Sequence, residues 1–467
     1  MFHIKLDRKS PQTLVNQVYE QLRALILGGI LQTGEKLPST RELAAFLDVS
    51  RNVVTTAYEL LNAEGFLEGK HGSGSYVAQG VFWEDGAGNR AEEVSRPAAA
   101  VPAGPADAVD FRSGIPALDR VPRKLLARFT NESWYEAADH ALGYGSPAGS
   151  PELREEVAAY LHKTRGVVCR PEQIMITSGA VQGLALIAKA LVREGDSVWV
   201  EDPSNRDIAR IFQEQGARTV PVPVDEQGIR TAALPCGSKP VLTVVTPSHQ
   251  FPLGGILPIQ RRIDLIRMAR DTESLIVEDD YDSEFRYEGP PVSSLQGLEP
   301  QRVIYLGTFS KILLPALRLG YMVLPPAWMA RFADFKRLDD IHSNTLSQLA
   351  LAGFIRAGHL ARHTAQLKKV YRKKRDVLIA ALQRAFPGRV RIYGASTGLH
   401  LVAQWEGIRF DGDLIRRLGE GGVIVYPVEA HAMVKERHAD KIILGFGHLS
   451  QADIAAGVDR MKAVFDK

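Results

Sequence analysis

VIYLGTFSKILLPALRLGY, residues 303–321, joins a short apolar run to a loop carrying a lysine and, seven residues on, an arginine. Val303 to Leu306 reads as a strand buried on both faces, because a short apolar run closed by a glycine suits that state. Four more runs share its texture: IMIT (174–177), SVWV (197–200), VLTVV (241–245) and SLIV (274–277). Longer helical stretches separate them. This alternation predicts an α/β fold whose mostly parallel sheet is covered on both faces. In such sheets ligands gather beyond the carboxyl ends of the strands. The residues that follow each run therefore carry the functional argument.

Lys311 follows VIYL, with Thr308 and Ser310 just before it and Arg318 after it. Ser178-Gly179-Ala180-Val181 joins IMIT to a helix predicted over 182–191, and free backbone N–H groups at a helix start suit a phosphate. Asp279 closes the SLIV run, and Tyr281 comes two residues later. Pyridoxal 5'-phosphate (PLP) asks a protein for an amine, an acid at its pyridine nitrogen, a donor to its phenolic oxygen, a phosphate cradle and a flat ring contact. Lys311 is the candidate amine, Asp279 the acid and Tyr281 the donor. Arg318, Ser310, Thr308 and the backbone of Gly179, Ala180 and Val181 are the candidate cradle. Taken singly, each feature has a bland explanation: a solvated lysine, a helix cap, a turn. Their order on successive strand ends is what joins them.

The first 77 residues have a different texture. Leu14, Val18, Leu22 and Leu25 recur at helical spacing and predict a helix from about Pro11 to Leu27. Ser39-Thr40-Arg41-Glu42 has the capping-box pattern. The helix it starts is predicted to turn Leu43, Ala44, Phe46 and Leu47 inward. Asp48 and Val49 make a tight turn, and Ser50 caps a third helix with Val53 or Val54, Ala57, Leu60 and Leu61 inward. Two short helices and a tight turn form a helix-turn-helix, whose second helix can enter a major groove. Residues 65–77 read as two strands around a glycine turn, a wing. Arg41 and Arg51 open the second and third helices, Asn52 and Thr55 lie on the outer face, and Lys70 and His71 sit at the wing tip. These six are the candidate DNA contacts.

Composition narrows the class. Of 467 residues, 45% are hydrophobic and 24% charged, ordinary globular values. No apolar run reaches membrane-spanning length, and the charged N-terminus is no signal peptide. Two cysteines, Cys169 and Cys236, give no disulfide framework and point to a reducing compartment, the cytoplasm. No metal site is expected. The net charge of +3 is too small to argue for nucleic acid, so the DNA reading rests on where the charges sit. Residues 79–108, rich in Ala, Gly and Pro, read as a linker. That sets three segments: a winged helix-turn-helix over 1–78, the linker over 79–108 and a PLP-binding domain over 109–467.

LPSTRELAAFLDVSRNVVTTAYELLNAEGFLEGKHGSGSYV resembles the GntR-type winged helix. YGSPAGSPELREEVAAYL, ITSGAVQGL, VEDDYDSEFRY and GTFSKILLPALRLGY resemble fold-type I aminotransferases. The combination is similar to the MocR subfamily of regulators. The resemblance implies Lys311 as the Schiff-base lysine, a smaller C-terminal α+β subdomain, and a homodimer whose heads reach over the partner subunit. It also exposes two departures. Asn205 stands where the family has an aromatic ring contact, and Ile443 stands where an Arg grips the substrate carboxylate. Arg206 or His431 could substitute for that Arg, and His249 could touch the cofactor or effector. A basic run from Arg362 to Arg375 reads as a solvated helix face. The expected function is a transcriptional regulator of operator DNA that senses a small amine effector by aldimine exchange at Lys311, with at most weak transaminase activity. The alternatives are a working aminotransferase with an appended head and a regulator sensing PLP itself.

Overall fold

A computed structural model describes residues 4–70, 74–80, 107–235 and 237–466. The chain divides into two compact units, Met1–Ala100 and Val101–Lys467. In the first, α1 (Leu14–Leu27), α2 (Thr40–Leu47) and α3 (Arg51–Ala63) are followed by an antiparallel pair, β1 (Leu67–Lys70) and β2 (Gly74–Val77). Helix α1 starts three residues later than expected, because Thr13 caps it by accepting from the Asn16 N–H. The capping box at Ser39 and Glu42 is present, and Asp48 makes the turn in the left-handed region. Ser50 occupies the N-cap position of α3 without a side-chain cap bond.

Two expected core residues face outward. Phe46 and Leu60 are 48% and 38% exposed. The eight-residue α2 commits one stripe, Leu43, Ala44 and Leu47, to the core. In α3, Tyr58 takes an inward place and donates its hydroxyl to the Pro38 carbonyl oxygen at 2.9 Å.

The second unit opens with β3 (Val109–Asp110), α4 (Arg123–Glu136) and α5 (Pro151–Arg165). A doubly covered region follows: β4 (Ile174–Thr177), α6 (Ala180–Leu191), β5 (Ser197–Asp202), α7 (Arg206–Glu214), β6 (Arg218–Asp225), β7 (Gly228–Ile229), β8 (Leu242–Val245), α8 (Ile259–Asp271), β9 (Leu275–Asp280), β10 (Val303–Thr308) and β11 (Gly320–Val323). These eight strands form one sheet in the order β4-β11-β10-β9-β8-β5-β6-β7. Strands β10, β9, β8, β5 and β6 run parallel, whereas β11 is antiparallel to both its neighbours. Helices α9 (Met329–Asp340), α10 (Thr345–Arg356) and the 27-residue α11 (His359–Ala385) lead on to the rest of the unit. There β12 (Val390–Tyr393), β13 (His400–Trp405), α12 (Gly412–Glu420), β14 (Val423–Ile424), β15 (Tyr426–Pro427), β16 (Lys441–Gly445) and α13 (Gln451–Phe465) follow. They supply a four-stranded antiparallel sheet, β12-β13-β16-β15, and β14 pairs with β3.

The central strands are buried on both faces, as continuous apolar runs require. No helix among the described residues is long and apolar enough to cross a membrane. On α11 the basic run divides. Arg362, Lys369, Arg372 and Lys373 are exposed, while Lys374 and Arg375 are buried.

Candidate functional site

A cavity of about 370 Å³ opens at the carboxyl ends of β5, β8, β9 and β10. Lys311, Asp279, Tyr281, Arg318, Ser310, Thr308, Ala180, Val181 and Asn205 all line it. Lys311 Nζ donates to the Gly114 carbonyl oxygen at 2.7 Å. Burial lowers the Lys311 pKa, and Asp282 and Asp279 oppose that shift. Gly114, missed by the sequence reading, has φ +76°, and a Cβ there would lie 3.0 Å from Nζ. A lone glycine in a loop signals only a turn.

Strand β9 sorts its two terminal aspartates. Asp279 lines the cavity, and burial, then Asp280 and Glu201, push its carboxyl up to about 7. Asp280 turns to the core, where its Oδ2 accepts from Arg165 Nε at 2.8 Å and from the Tyr305 hydroxyl at 2.6 Å. Arg165 also donates to Ser248 Oγ at 2.5 Å. This buried network pins the end of β9. Glu201 is held to Thr246 Oγ1 at 2.5 Å, and burial raises it to about 7.

The helix α6 starts at Ala180, two residues earlier than expected, because Gly179 at φ +104° makes the turn. A Cβ on Gly179 would fall 2.9 Å from Arg318 Nη2. Arg318 Nη2 donates to the Ser178 carbonyl oxygen at 2.6 Å, so the guanidinium lies against the start of α6. Thr308 Oγ1 donates to Ser310 Oγ at 3.0 Å and accepts the Ser310 N–H at 3.2 Å, which packs both hydroxyls beside that turn.

Tyr281 is committed locally. Its hydroxyl donates to the His249 carbonyl oxygen at 2.9 Å and lies 3.1 Å from His249 Nδ1. His249 Nδ1 lies 2.9 Å from Asp282 Oδ1. A carboxylate only accepts, so Nδ1 carries a proton. Gly398 permits this pair: a Cβ there would lie 2.2 Å from His249 Cε1 and 2.4 Å from Asp282 Oδ2. Asn205 accepts the Asp207 N–H at 3.2 Å and caps α7. Ile443 is fully buried, clustered with Trp199, Val402 and Val428. His431 lines the cavity.

In the first unit, Arg41, Arg51 and Asn52 are exposed and Thr55 is half-buried. Arg51 Nε donates to Thr40 Oγ1 at 3.2 Å, tying the start of α3 to α2. Lys70 ends β1; its side chain and His71 lie outside the described residues.

Fold and cavity define a class: an aminotransferase-like unit that carries a winged helix-turn-helix head. The family model for aminotransferase class I and II matches residues 106–437, and that for bacterial regulatory proteins of the gntR family matches residues 14–77. The probable rhizopine catabolism regulatory protein MocR of Rhizobium meliloti is 34% identical, over 98% of this chain and 95% of that protein. The pyridoxine biosynthesis regulator PdxR of Corynebacterium glutamicum is 35% identical over 80% of each. The multiple substrate aminotransferase of Thermococcus profundus superposes with a TM-score of 0.72 at 27% identity, over 78% of this chain and 92% of that one. The chain belongs to the MocR subfamily of GntR-type transcriptional regulators, with a larger unit of the aminotransferase class I and II family.

Proposed function

We propose that this regulator binds PLP in the cavity and reads an amine effector there through Lys311. The observation that carries the reading is the convergence of Lys311, Asp279, Tyr281 and Arg318 on one cavity. The residues fit the cofactor. Gly179 leaves room beside Arg318 that a side chain would fill. An elevated carboxyl at Asp279 would be drawn back to its charged form by a cationic ring nitrogen. When bound, PLP supplies an electrophilic carbonyl carbon and an electron-withdrawing ring.

Lys311 Nζ is the amine that holds that carbon and yields it to the effector's amine. Desolvation helps it release a proton. Asp279 keeps the proton on the ring nitrogen. Tyr281 reaches the phenolic oxygen by releasing the His249 carbonyl. Arg318, Thr308, Ser310 and the backbone of Gly179, Ala180 and Val181 take the phosphate. Asn205 borders the ring in place of an aromatic. The effector regulates by binding one arrangement of the protein better than another.

Arg41, Arg51, Asn52, Thr55, Lys70 and His71 are the proposed contacts to operator DNA. A cytoplasmic homodimer would present two third helices to two half-sites. Exposed Trp134, Tyr135 and Tyr144 in the second unit support a surface for a second copy. The functional segments are 1–78, 79–108 and 109–467. Lys311→Ala is expected to abolish both the visible absorbance of the bound cofactor and the effector response in DNA binding, with folding intact by circular dichroism. An effector response of unchanged size would refute the proposal. The same assay with PLP alone, no amine added, separates it from direct sensing of the cofactor.

A further inference from the structure

Three imidazoles crowd one side of the cavity. His400 and His431 line it, and His249 lies behind His400 with ring centroids 4.8 Å apart. His400 Nε2 lies 3.0 Å from the Pro252 carbonyl oxygen. A carbonyl oxygen only accepts, so Nε2 carries the proton and Nδ1 of the neutral ring is an acceptor. Burial pushes the His400 pKa down to about 4, and burial also lowers His431. His431 stands edge-on to Phe251 at 5.0 Å. Its Nδ1 has no hydrogen-bond partner among the described residues. Asp282 completes this wall, and its oxygens already accept from His249 Nδ1 at 2.9 Å and from the Leu399 N–H at 3.2 Å. Ser204 and Thr246 add hydroxyls.

The wall has no fixed cation. Among the described residues lining the cavity, Lys311 and Arg318 are the only lysine and arginine, and both are assigned above to the cofactor. Ile443 is sealed in the core and offers nothing. A carboxylate at the far end of an effector would face neutral rings and the Asp282 carboxylate without a counter-charge, and an unpaired buried charge is costly. A second ammonium would find the one nearby carboxylate already engaged by two donors. A hydroxyl both donates and accepts, so it answers an imidazole lone pair, an imidazole N–H or another hydroxyl equally well.

We infer that the effector is an amine whose far end carries hydroxyl groups and no carboxylate. The inference rests on the reading of Lys311 as the effector-exchanging amine. Its test uses the full-length protein loaded with PLP and follows the visible absorbance during titration with four amines of matched length: 4-amino-1-butanol, 4-aminobutanoate, 1,4-diaminobutane and butylamine. The amino alcohol is expected to bind at least tenfold more tightly than each of the others. His431→Phe is expected to shrink its advantage over butylamine at least fivefold. Equal or tighter binding of 4-aminobutanoate or of the diamine overturns the inference and leaves the Lys311 reading standing. No spectral change with any amine, or an undiminished change in Lys311→Ala, sinks the Lys311 reading and the inference with it.

Discussion

At Asp279 two demands oppose each other. Burial, Asp280 and Glu201 hold its carboxyl up to about 7, while Lys311 pulls the other way. Glu201 is raised to about 7 by burial, against hydrogen bonds from Thr246 and Gln250. A carboxyl whose pKa is higher in the folded chain than near 4, its unfolded value, binds its proton more tightly when folded. The stability it contributes is full below about pH 4 and is lost as pH rises through about 7. The cofactor-free protein is therefore expected to lose stability across that window. Asp279→Asn removes one of the two groups, so at pH 8 the cofactor-free variant should be the more stable by on the order of 1 kcal/mol in urea unfolding. Adding PLP should reverse the order, because only the carboxylate gains from a cationic ring nitrogen. A cofactor-free variant less stable than its parent at pH 8 would show that burial does not govern this carboxyl. Asp279 and Lys311 were legible because each follows an apolar run at a strand end. Arg165 was not, because its partner Asp280 lies 115 positions away and nothing local marks the pairing. Asp282 and Gly398 were hidden for the same reason.

Elements were legible where one physical signal dominates. The five apolar runs became β4, β5, β8, β9 and β10, with β5, β9 and β10 running on past the runs themselves. Strand β6 went unread because Pro221 and Pro223 interrupt RTVPVPVD, and proline inside a run argues against a central strand. It sits next to the two-residue β7 at the sheet margin, where prolines are tolerated. Strand β11 was folded into the lysine loop, since GYMV directly follows it with no turn signal. In the first unit the cap was readable and the inward stripe was not. Ser39 accepts the Glu42 N–H at 3.2 Å and Glu42 Oε2 accepts the Ser39 N–H at 2.8 Å. That reciprocal pair fixes the start of α2, and Thr40 in turn receives Arg51 of α3. Ser39→Ala is expected to cost about 1 kcal/mol, lowering the melting of the first unit by roughly 4–8 °C for a domain of this size. Ser39→Thr should recover most of it. Calorimetry showing no shift for Ser39→Ala would mean that packing alone sets the start of α2.

The whole molecule has separate hydrophobic cores. Val18, Leu22, Val54 and Leu61 belong to a cluster confined to the first unit, and none of its members appears in the clusters of the second. The change in texture after residue 78 made two units legible, because an Ala, Gly and Pro-rich stretch cannot bury a core. Residues 81–106 themselves lie outside the described residues. The shape of the effector cavity was not legible, because its walls come from chain segments as far apart as Ser113 and His431. Every described residue lining that cavity belongs to the second unit, and a ligand stabilises only the structure it binds. PLP at 100 times its dissociation constant should therefore stabilise the second unit by about 2.7 kcal/mol and leave the melting of the first unchanged. Leu61→Ala identifies which transition is which: a fully buried leucine lost from the first core should lower that transition alone, by about 2–5 kcal/mol. A first-unit transition that rises with PLP alone, no effector present, would mean that the cofactor already couples to the DNA-binding head. Effector control would then act on a connection made before any amine arrives.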